Sequence, residues 1–237
     1  MCLAKNMNIK PRTIVLVPGY MLDENLWSRF ETYLPPYLKV HYASLNGGQT
    51  IRDIARHMST YLPGKFTLIG FSLGGYIARQ FAADFPERVE SLVLIASSLR
   101  EDTPRQVESK RQSIQSLSSR TFKGLSNHAI ARSLHPRNAS NLDMISNIQQ
   151  MGCRLGFEAF VTQSSLLRQN IPAATLCCRT LVIASNDDVI RSMTEAKELV
   201  DTIPHASLRI ITGSGHMVPL EQPQALANRV SAWLEDI

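Results

Sequence analysis

The chain has 237 residues, 44% of them hydrophobic, and 25 basic residues against 20 acidic ones give a formal net charge of +5. This length and composition suit one α/β domain with a sizeable core. No apolar run approaches the ~20 residues that span a bilayer. The first ten residues lack the apolar centre of a signal peptide, and the four cysteines have no disulfide-framework or metal-ligand spacing. We therefore expect a cytoplasmic protein with no membrane span, no metal and no cofactor.

Six apolar runs have the length of strands, and several lack the alternation of half-buried ones, as is typical of parallel strands covered on both faces. Helical patterns separate most of the runs, with Asp23, Thr50 and Ser192 as candidate N-caps and a last helix beginning near Pro223. This alternation predicts a mainly parallel, doubly wound sheet of about six strands in an α/β fold. The runs are residues 13–17, 39–43, 66–70, 91–96, 180–184 and 207–212.

The most informative segment follows the third run and reads G-F-S-L-G-G at residues 70–75. A G-x-S-x-G between a strand and a helix is typical of the nucleophile elbow, a tight turn that exposes a serine hydroxyl above a sheet. We expect Gly70 and Gly74 because side chains there would collide with neighbouring backbone. No lysine follows as a phosphate-binding loop would require. Ser72 is therefore the candidate nucleophile.

A serine nucleophile needs a histidine base and a carboxylate that holds the histidine. His216 stands in G-S-G-H just after the last apolar run, and Asp187 and Asp188 stand at the end of the fifth. The chain order serine, acid, histidine is the order expected with this type of elbow. All three groups come at the carboxyl ends of strands, where function collects in open α/β sheets.

With these motifs in place, the chain resembles the α/β-hydrolase superfamily, in particular its small carboxylesterase-like members with a helical cap. The resemblance covers nearly the whole chain and is closest over residues 13–98 and 179–237. It implies the α/β-hydrolase fold. The full family fold opens with an antiparallel hairpin, and we expect that hairpin here to be absent or reduced to one strand.

The resemblance also chooses between the two carboxylates. The family pattern L-V-I-x-G-x-x-D, placed over residues 181–188, puts the acid at Asp188 and keeps Asp187 as the alternative. Ser185 stands where the family has glycine.

An oxyanion hole made of two backbone N–H groups is a further implication of the resemblance. The family takes one N–H from the residue after the nucleophile, here Leu73. The other follows an H-G pair that reads Pro18-Gly19 in this chain, which points to Tyr20, with Met21 as the alternative donor. The proline does not exclude the role, because the donor is a backbone group.

Residues 98–178 contain helical patterns but no convincing strand. In the superfamily, an insertion after the fourth strand forms a helical cap over the site. The resemblance therefore implies a hydrolase core of residues 1–97 and 179–237 and a cap of residues 98–178. Candidate substrate-binding residues are Met21, Phe157 and Met217. The helical patterns cover residues 104–117, 121–134, 140–151 and 155–168.

Charge is concentrated in the cap segment, where ten basic residues face five acidic ones, while the rest of the chain holds 15 of each. A basic cap could attract an anionic carrier, either an acyl carrier protein or a CoA thioester. A solvated helical surface is the simpler explanation of the same charges. Nucleic acid is not expected, because no interleaved aromatic residues or recognised binding fold accompany the arginines.

Together, these features indicate a serine hydrolase that cleaves a small-molecule carboxylic ester through a Ser-His-Asp triad and an acyl-enzyme intermediate. The sequence leaves three alternatives open: a carbon–carbon bond hydrolase for ring-cleavage products, an acyltransferase of the same fold, and a ligand-sensing signalling regulator with a vestigial site.

Overall fold

The computed structural model describes residues 11–236, which form a six-stranded sheet in which every neighbouring pair of strands is parallel. The spatial order is β2-β1-β3-β4-β5-β6. The predicted α/β architecture with a mainly parallel sheet of about six strands is confirmed. The expectation about an opening hairpin falls on residues 1–10, outside the described range. The strands are β1 (Arg12–Val17), β2 (Leu38–Tyr42), β3 (Phe66–Phe71), β4 (Val89–Ile95), β5 (Arg179–Ser185) and β6 (Ala206–Ile211).

The four inner strands are more completely buried than the two edge strands. Every residue of β3 is buried, and β1, β4 and β5 are buried over most of their length. The edge strands β2 and β6 keep exposed residues because each has only one neighbour. The order reverses between β1 and β3, so the crevice at their carboxyl ends is the place where open α/β sheets bind ligands.

Helices cover both faces of the sheet and form two separate apolar clusters. One cluster contains Trp27, Phe30 and Val230, and the other contains Tyr76 and Leu199. The predicted capping box at Ser192 is confirmed, as is the predicted cap at Thr50. The helices are α1 (Ser28–Glu31), α2 (Ile51–Ser59), α3 (Leu73–Asp84), α4 (Pro104–Ser116), α5 (Asn127–Ser133), α6 (Leu142–Ser165), α7 (Met193–Thr202), α8 (Val218–Glu221) and α9 (Pro223–Glu235).

The segment between β4 and β5 contains α4, α5 and α6 and, within the described residues, no strand. Helix α6 packs against both α4 and α5. The helical patterns predicted at 140–151 and 155–168 join into this single element, which changes direction at Gly156, where φ is 80° and ψ is 178°. The pattern at 121–134 yields only the shorter helix α5. We call residues 98–178 the cap.

Candidate active site

Ser72 lies in the sharp turn between β3 and α3, and its backbone has φ 51° and ψ −112°. A positive φ is costly for a residue with a side chain and persists only where the surroundings impose it. Here the close approach of chain segments imposes it. A Cβ added to Gly70 would lie 2.6 Å from the carbonyl oxygen of Gly74, and one added to Gly74 would lie 2.3 Å from that of Pro18. The two glycines therefore let the turn fold tightly enough to present the serine.

Ser72, His216 and Asp188 are joined by hydrogen bonds. Nε2 of His216 is 2.9 Å from Oγ of Ser72, and Nδ1 is 2.8 Å from Oδ2 of Asp188. The side chain of His216 is 7% exposed and that of Asp188 is 1% exposed. Because the pair is removed from water, its electrostatic interactions are stronger than they would be at the surface.

The two adjacent carboxylates have different surroundings. Oδ1 of Asp188 accepts hydrogen bonds from the backbone N–H groups of Ile190 and Arg191, at 2.7 and 2.9 Å, which fixes the carboxylate against His216. The side chain of Asp187 is 43% exposed and lies 3.8 Å from Nε2 of His135. The structure thus brings Asp188, and not Asp187, to the ring of His216.

Glu221 supports the loop that carries His216, a role that the sequence analysis missed. Its Oε2 accepts from the Gly215 N–H at 2.7 Å and from the Ser214 hydroxyl at 3.0 Å. Its Oε1 accepts from the His135 N–H at 2.7 Å and from the Asn138 amide at 2.9 Å. One carboxylate therefore links the histidine loop to the cap. The only sequence signal was an acidic residue five positions after the histidine.

Replacing Glu221 by glutamine should lower the free energy of unfolding by about 2 kcal/mol, because an NH₂ group would then face donors that now meet a carboxylate oxygen. Urea unfolding followed by circular dichroism measures the effect. Glu90→Gln is the matched control, since Glu90 is exposed, and we expect a change within about 0.5 kcal/mol. Equal stabilities for the two variants would contradict the supporting role of Glu221.

A backbone hydrogen bond also ties the cap to the loop of His216. The His216 N–H donates to the carbonyl oxygen of Ser133 at 2.7 Å, and an Arg137 guanidinium N–H donates to the carbonyl oxygen of Gly213 at 2.8 Å. A Cβ added to Gly215 would lie 2.5 Å from the carbonyl carbon of Leu134, so the two segments are in close contact. The end of α5 therefore forms part of the support of the histidine.

The two predicted oxyanion donors are the backbone N–H groups of Leu73, which follows Ser72 in the chain, and of Tyr20. Within the described part of the chain, the N–H groups of Leu73 and Tyr20 donate no hydrogen bond. The Met21 N–H, the alternative donor, is already bound to Oε1 of Gln163 at 2.8 Å. Leu73 is also the first residue of α3, and a helix N-terminus favours negative charge.

A cavity of about 360 Å³ opens beside Ser72 and His216, and Met217 is among its lining residues. Two of the predicted substrate-binding residues lie elsewhere. Met21 is fully buried, and its side chain does not line this cavity. Phe157 stacks against Phe160, 6.1 Å between ring centroids, in a cluster of cap aromatic residues. Apolar character alone did not separate residues that pack the cap from residues that face the cavity.

Tyr20 is one of the residues that line the cavity. Its hydroxyl lies 2.7 Å from Oγ of Ser164. Burial raises the pKa of the Tyr20 phenol, against the opposing effects of the Ser164 hydrogen bond and the Arg168 charge. The phenol therefore stays neutral at physiological pH and shares a hydrogen bond with the Ser164 hydroxyl.

Within residues 11–236, no three side chains of the metal-ligating types lie close enough together to hold a metal ion. No helix in that range is long and apolar enough to cross a membrane. The described cysteines form no disulfide bond: Cys153 and Cys177 are exposed, and Cys178 is half-buried.

Part of the chain is similar in sequence to curated proteins that are named as esterases. The chain is similar to the pimeloyl-[acyl-carrier protein] methyl ester esterase of Citrobacter koseri, with 32% identity over 93 residues, and to that of Pectobacterium atrosepticum, with 33% identity over 93 residues. Each match covers 36% of this chain and 36% of the relative, so the similarity spans about a third of the length of these curated proteins.

Similarity to solved structures extends over almost the whole chain. A thermophilic esterase from Thermogutta terrifontis has a TM-score of 0.80 at 24% identity, covering 96% of this chain and 90% of that one. The enol-lactonase from Burkholderia xenovorans has a TM-score of 0.83 at 16% identity, covering 95% and 92%. At these identities the likeness shows a shared fold. The family model of the alpha/beta hydrolase fold matches residues 43–223, most of the chain. The protein is therefore a member of the alpha/beta hydrolase fold family.

Proposed function

We propose that this protein is a serine hydrolase that cleaves carboxylic esters. The observation that carries the proposal is the hydrogen-bonded series from Asp188 through His216 to Ser72 at the wall of a cavity. A serine with its own base and a third group orienting that base is the arrangement that nucleophilic catalysis requires. The esterase names of the matching curated relatives favour ester bonds over the alternatives.

The first half of the reaction forms an acyl-enzyme. Nε2 of His216 takes the proton of the Ser72 hydroxyl as the oxygen attacks the ester carbonyl carbon. The Asp188 carboxylate accepts a hydrogen bond from the Nδ1–H group, which keeps Nε2 available as the base and stabilises the imidazolium that forms. The N–H groups of Leu73 and Tyr20 bind the oxygen of the tetrahedral intermediate, and each such donor contributes about 3 kcal/mol to the barrier reduction.

The second half of the reaction releases the acid. The His216 imidazolium protonates the leaving alcohol, and the acyl group remains on Ser72. Nε2 of His216 then takes a proton from a water molecule as its oxygen attacks the same carbonyl carbon. The bond from that carbon to Oγ of Ser72 breaks, His216 returns the proton to Oγ, and the acid leaves. The same two N–H groups hold the second oxyanion.

We assign residues 98–178 the role of a cap that limits the access of water and shapes the cavity. Helices α4 and α5 contribute Gln106, Ser109, Ala129 and Ile130 to the lining, so the cap supplies part of the substrate site. A cavity of about 360 Å³ suits a small molecule, because pockets of this order bury most of the surface of such a ligand.

Two observations favour an anionic carrier as one form in which the ester is presented. The curated relatives are named for an ester linked to an acyl carrier protein. The cap also exposes basic residues, among them Arg120 and Arg132, that could attract such a carrier. In this form of the proposal, the carrier contacts the cap surface while the ester enters the cavity.

A series of p-nitrophenyl esters from acetyl to dodecanoyl tests the proposed activity. We expect turnover to be highest for short and medium acyl chains and to fall for the longest ones, because the cavity measures about 360 Å³. A fluorophosphonate should label the protein once, at Ser72. A folded protein that neither turns over any ester nor reacts with the fluorophosphonate would contradict the proposal, and carbon–carbon substrates and ligand-dependent partner binding would then be the next measurements.

A further inference from the structure

Part of the cavity wall carries charged side chains that the proposed reaction does not use. Asp102, Lys110, Arg168 and Arg191 line the same cavity as the proposed catalytic serine and histidine. Asp102 pairs with both Lys110 and Arg168, and Arg191 pairs with Glu195, which lies outside the lining. Three cations thus face two carboxylates, and the cluster keeps a net charge of +1.

The guanidinium of Arg168 is largely buried although few acceptors in the protein bind it. Its side chain is 12% exposed, and its buried Nε has no hydrogen-bond partner among the residues that the structure describes. Its contacts are an ion pair with Asp102, 3.4 Å between Nη1 and Oδ1, and a position 5.3 Å from the ring centroid of Tyr76. Buried guanidinium groups normally bind several acceptors, since they carry five N–H donors. The guanidinium of Arg168 is thus under-bonded and lines the cavity, where a ligand can supply further acceptors.

The three cations also lie close enough together to repel one another. The pKa of Lys110 is lowered, first by burial and then by the charge of Arg168, with a smaller effect from Arg191, and the pairing with Asp102 does not compensate for these effects. Arg191 is 5.9 Å from the same Tyr76 ring that Arg168 contacts. An anion bound among these groups would relieve the repulsion that they now experience.

We propose that the substrate ester carries a carboxylate at the end remote from the scissile bond, and that Arg168 and Arg191 bind this carboxylate. The inference rests on the proposed ester hydrolysis and specifies the substrate class as monoesters of dicarboxylic acids whose remote carboxyl group is free, in place of the carrier-linked form. The planar guanidinium matches a carboxylate through paired N–H donors. The wall of the same cavity includes the apolar Leu125, Ile130 and Met217, which suit the methylene chain between ester and acid.

The test compares monomethyl adipate with methyl hexanoate, two methyl esters of equal chain length of which only the first is an anion. We expect the wild type to prefer monomethyl adipate in kcat/KM, as measured by acid release in a pH-stat. Arg168→Gln should lower this preference about 10- to 100-fold, the range expected for charge-assisted hydrogen bonds. Arg56→Gln, which removes an exposed arginine from α2, is the charge-matched control and should leave the preference unchanged.

The outcomes separate this inference from the proposed function. Hydrolysis of methyl hexanoate without a preference for the anion, or a preference that Arg168→Gln leaves intact, would overturn the carboxylate site while the hydrolase stands. If neither ester is turned over, titration calorimetry of monomethyl adipate into the Ser72→Ala protein tests the carboxylate site directly, because it measures binding without turnover. Binding of monomethyl adipate that Arg168→Gln abolishes supports the site, and absence of binding overturns it.

Discussion

Replacing Ser72 by alanine should lower kcat for p-nitrophenyl butyrate by at least about 10⁴-fold, because the variant has no nucleophile and retains only oxyanion stabilisation and substrate binding. The change removes one oxygen from a residue that is 9% exposed, so we expect the variant to fold. Initial rates with burst-phase analysis measure the loss, and labelling by a fluorophosphonate should disappear with it.

Ser91→Ala is the matched control for this experiment. Ser91 is also buried, and its hydroxyl forms a hydrogen bond of 2.8 Å with Thr67, in the part of the sheet far from the carboxyl ends of the strands. We expect kcat within about twofold of wild type for this control, since surface and remote core changes act on stability rather than on the reaction. Residual turnover above about 1% in Ser72→Ala would assign the nucleophile to another residue.

Asp188→Asn should lower kcat/KM by about 10³- to 10⁴-fold, whereas Asp187→Asn should change it less than about threefold. An asparagine at 188 can retain the hydrogen bonds from Ile190 and Arg191 through its oxygen and turn its NH₂ group toward Nδ1 of His216. That NH₂ group would hold the ring in the tautomer whose Nε2 carries the proton, so the ring could not accept one from Ser72.

The comparison of Asp187→Asn with Asp188→Asn is informative, because each variant loses one negative charge and the two positions are adjacent in the chain. Asp187 lies toward His135 and the Gly213 N–H rather than toward His216, so its loss leaves the histidine oriented. Chromogenic ester kinetics on both proteins, with thermal unfolding as the check on folding, provide the measurement. Equal losses in the two variants would mean that the carboxylates act by their charge alone, and a larger loss at Asp187 would reverse the assignment.

The fold was predictable from the sequence because the signals for its strands, caps and turns depend only on residues that are close together in the chain. Strand positions followed from short apolar runs, and the start of α7 followed from the capping box of Ser192 and Glu195. The elbow followed from the spacing of Gly70, Ser72 and Gly74, which only a tight turn requires. The order of serine, acid and histidine then restricted the partners to a few positions at strand ends.

Features that depend on contacts between distant segments were not predictable in the same way. Phe157 and Met21 are apolar like the residues of the cavity wall, but Phe157 packs in an aromatic cluster of the cap and Met21 is fully buried away from the cavity lining. Glu221 joins positions 86 residues apart in the chain, and no spacing rule describes such a link. The cationic cluster likewise combines residues of α4, of the end of the cap and of the loop after β5.

The hydrogen bond between the His216 N–H and the Ser133 carbonyl limits how the cap can be exchanged. A chimera that grafts a foreign cap onto this core would keep Ser72, His216 and Asp188 and still lose the partner that holds the histidine loop. Such a graft must bring a carbonyl to the position of Ser133 and donors to Glu221, or the transplanted protein will be folded but catalytically weak. Changes in substrate range are therefore more accessible through point substitutions on the cavity side of α4 and α5 than through replacement of the cap.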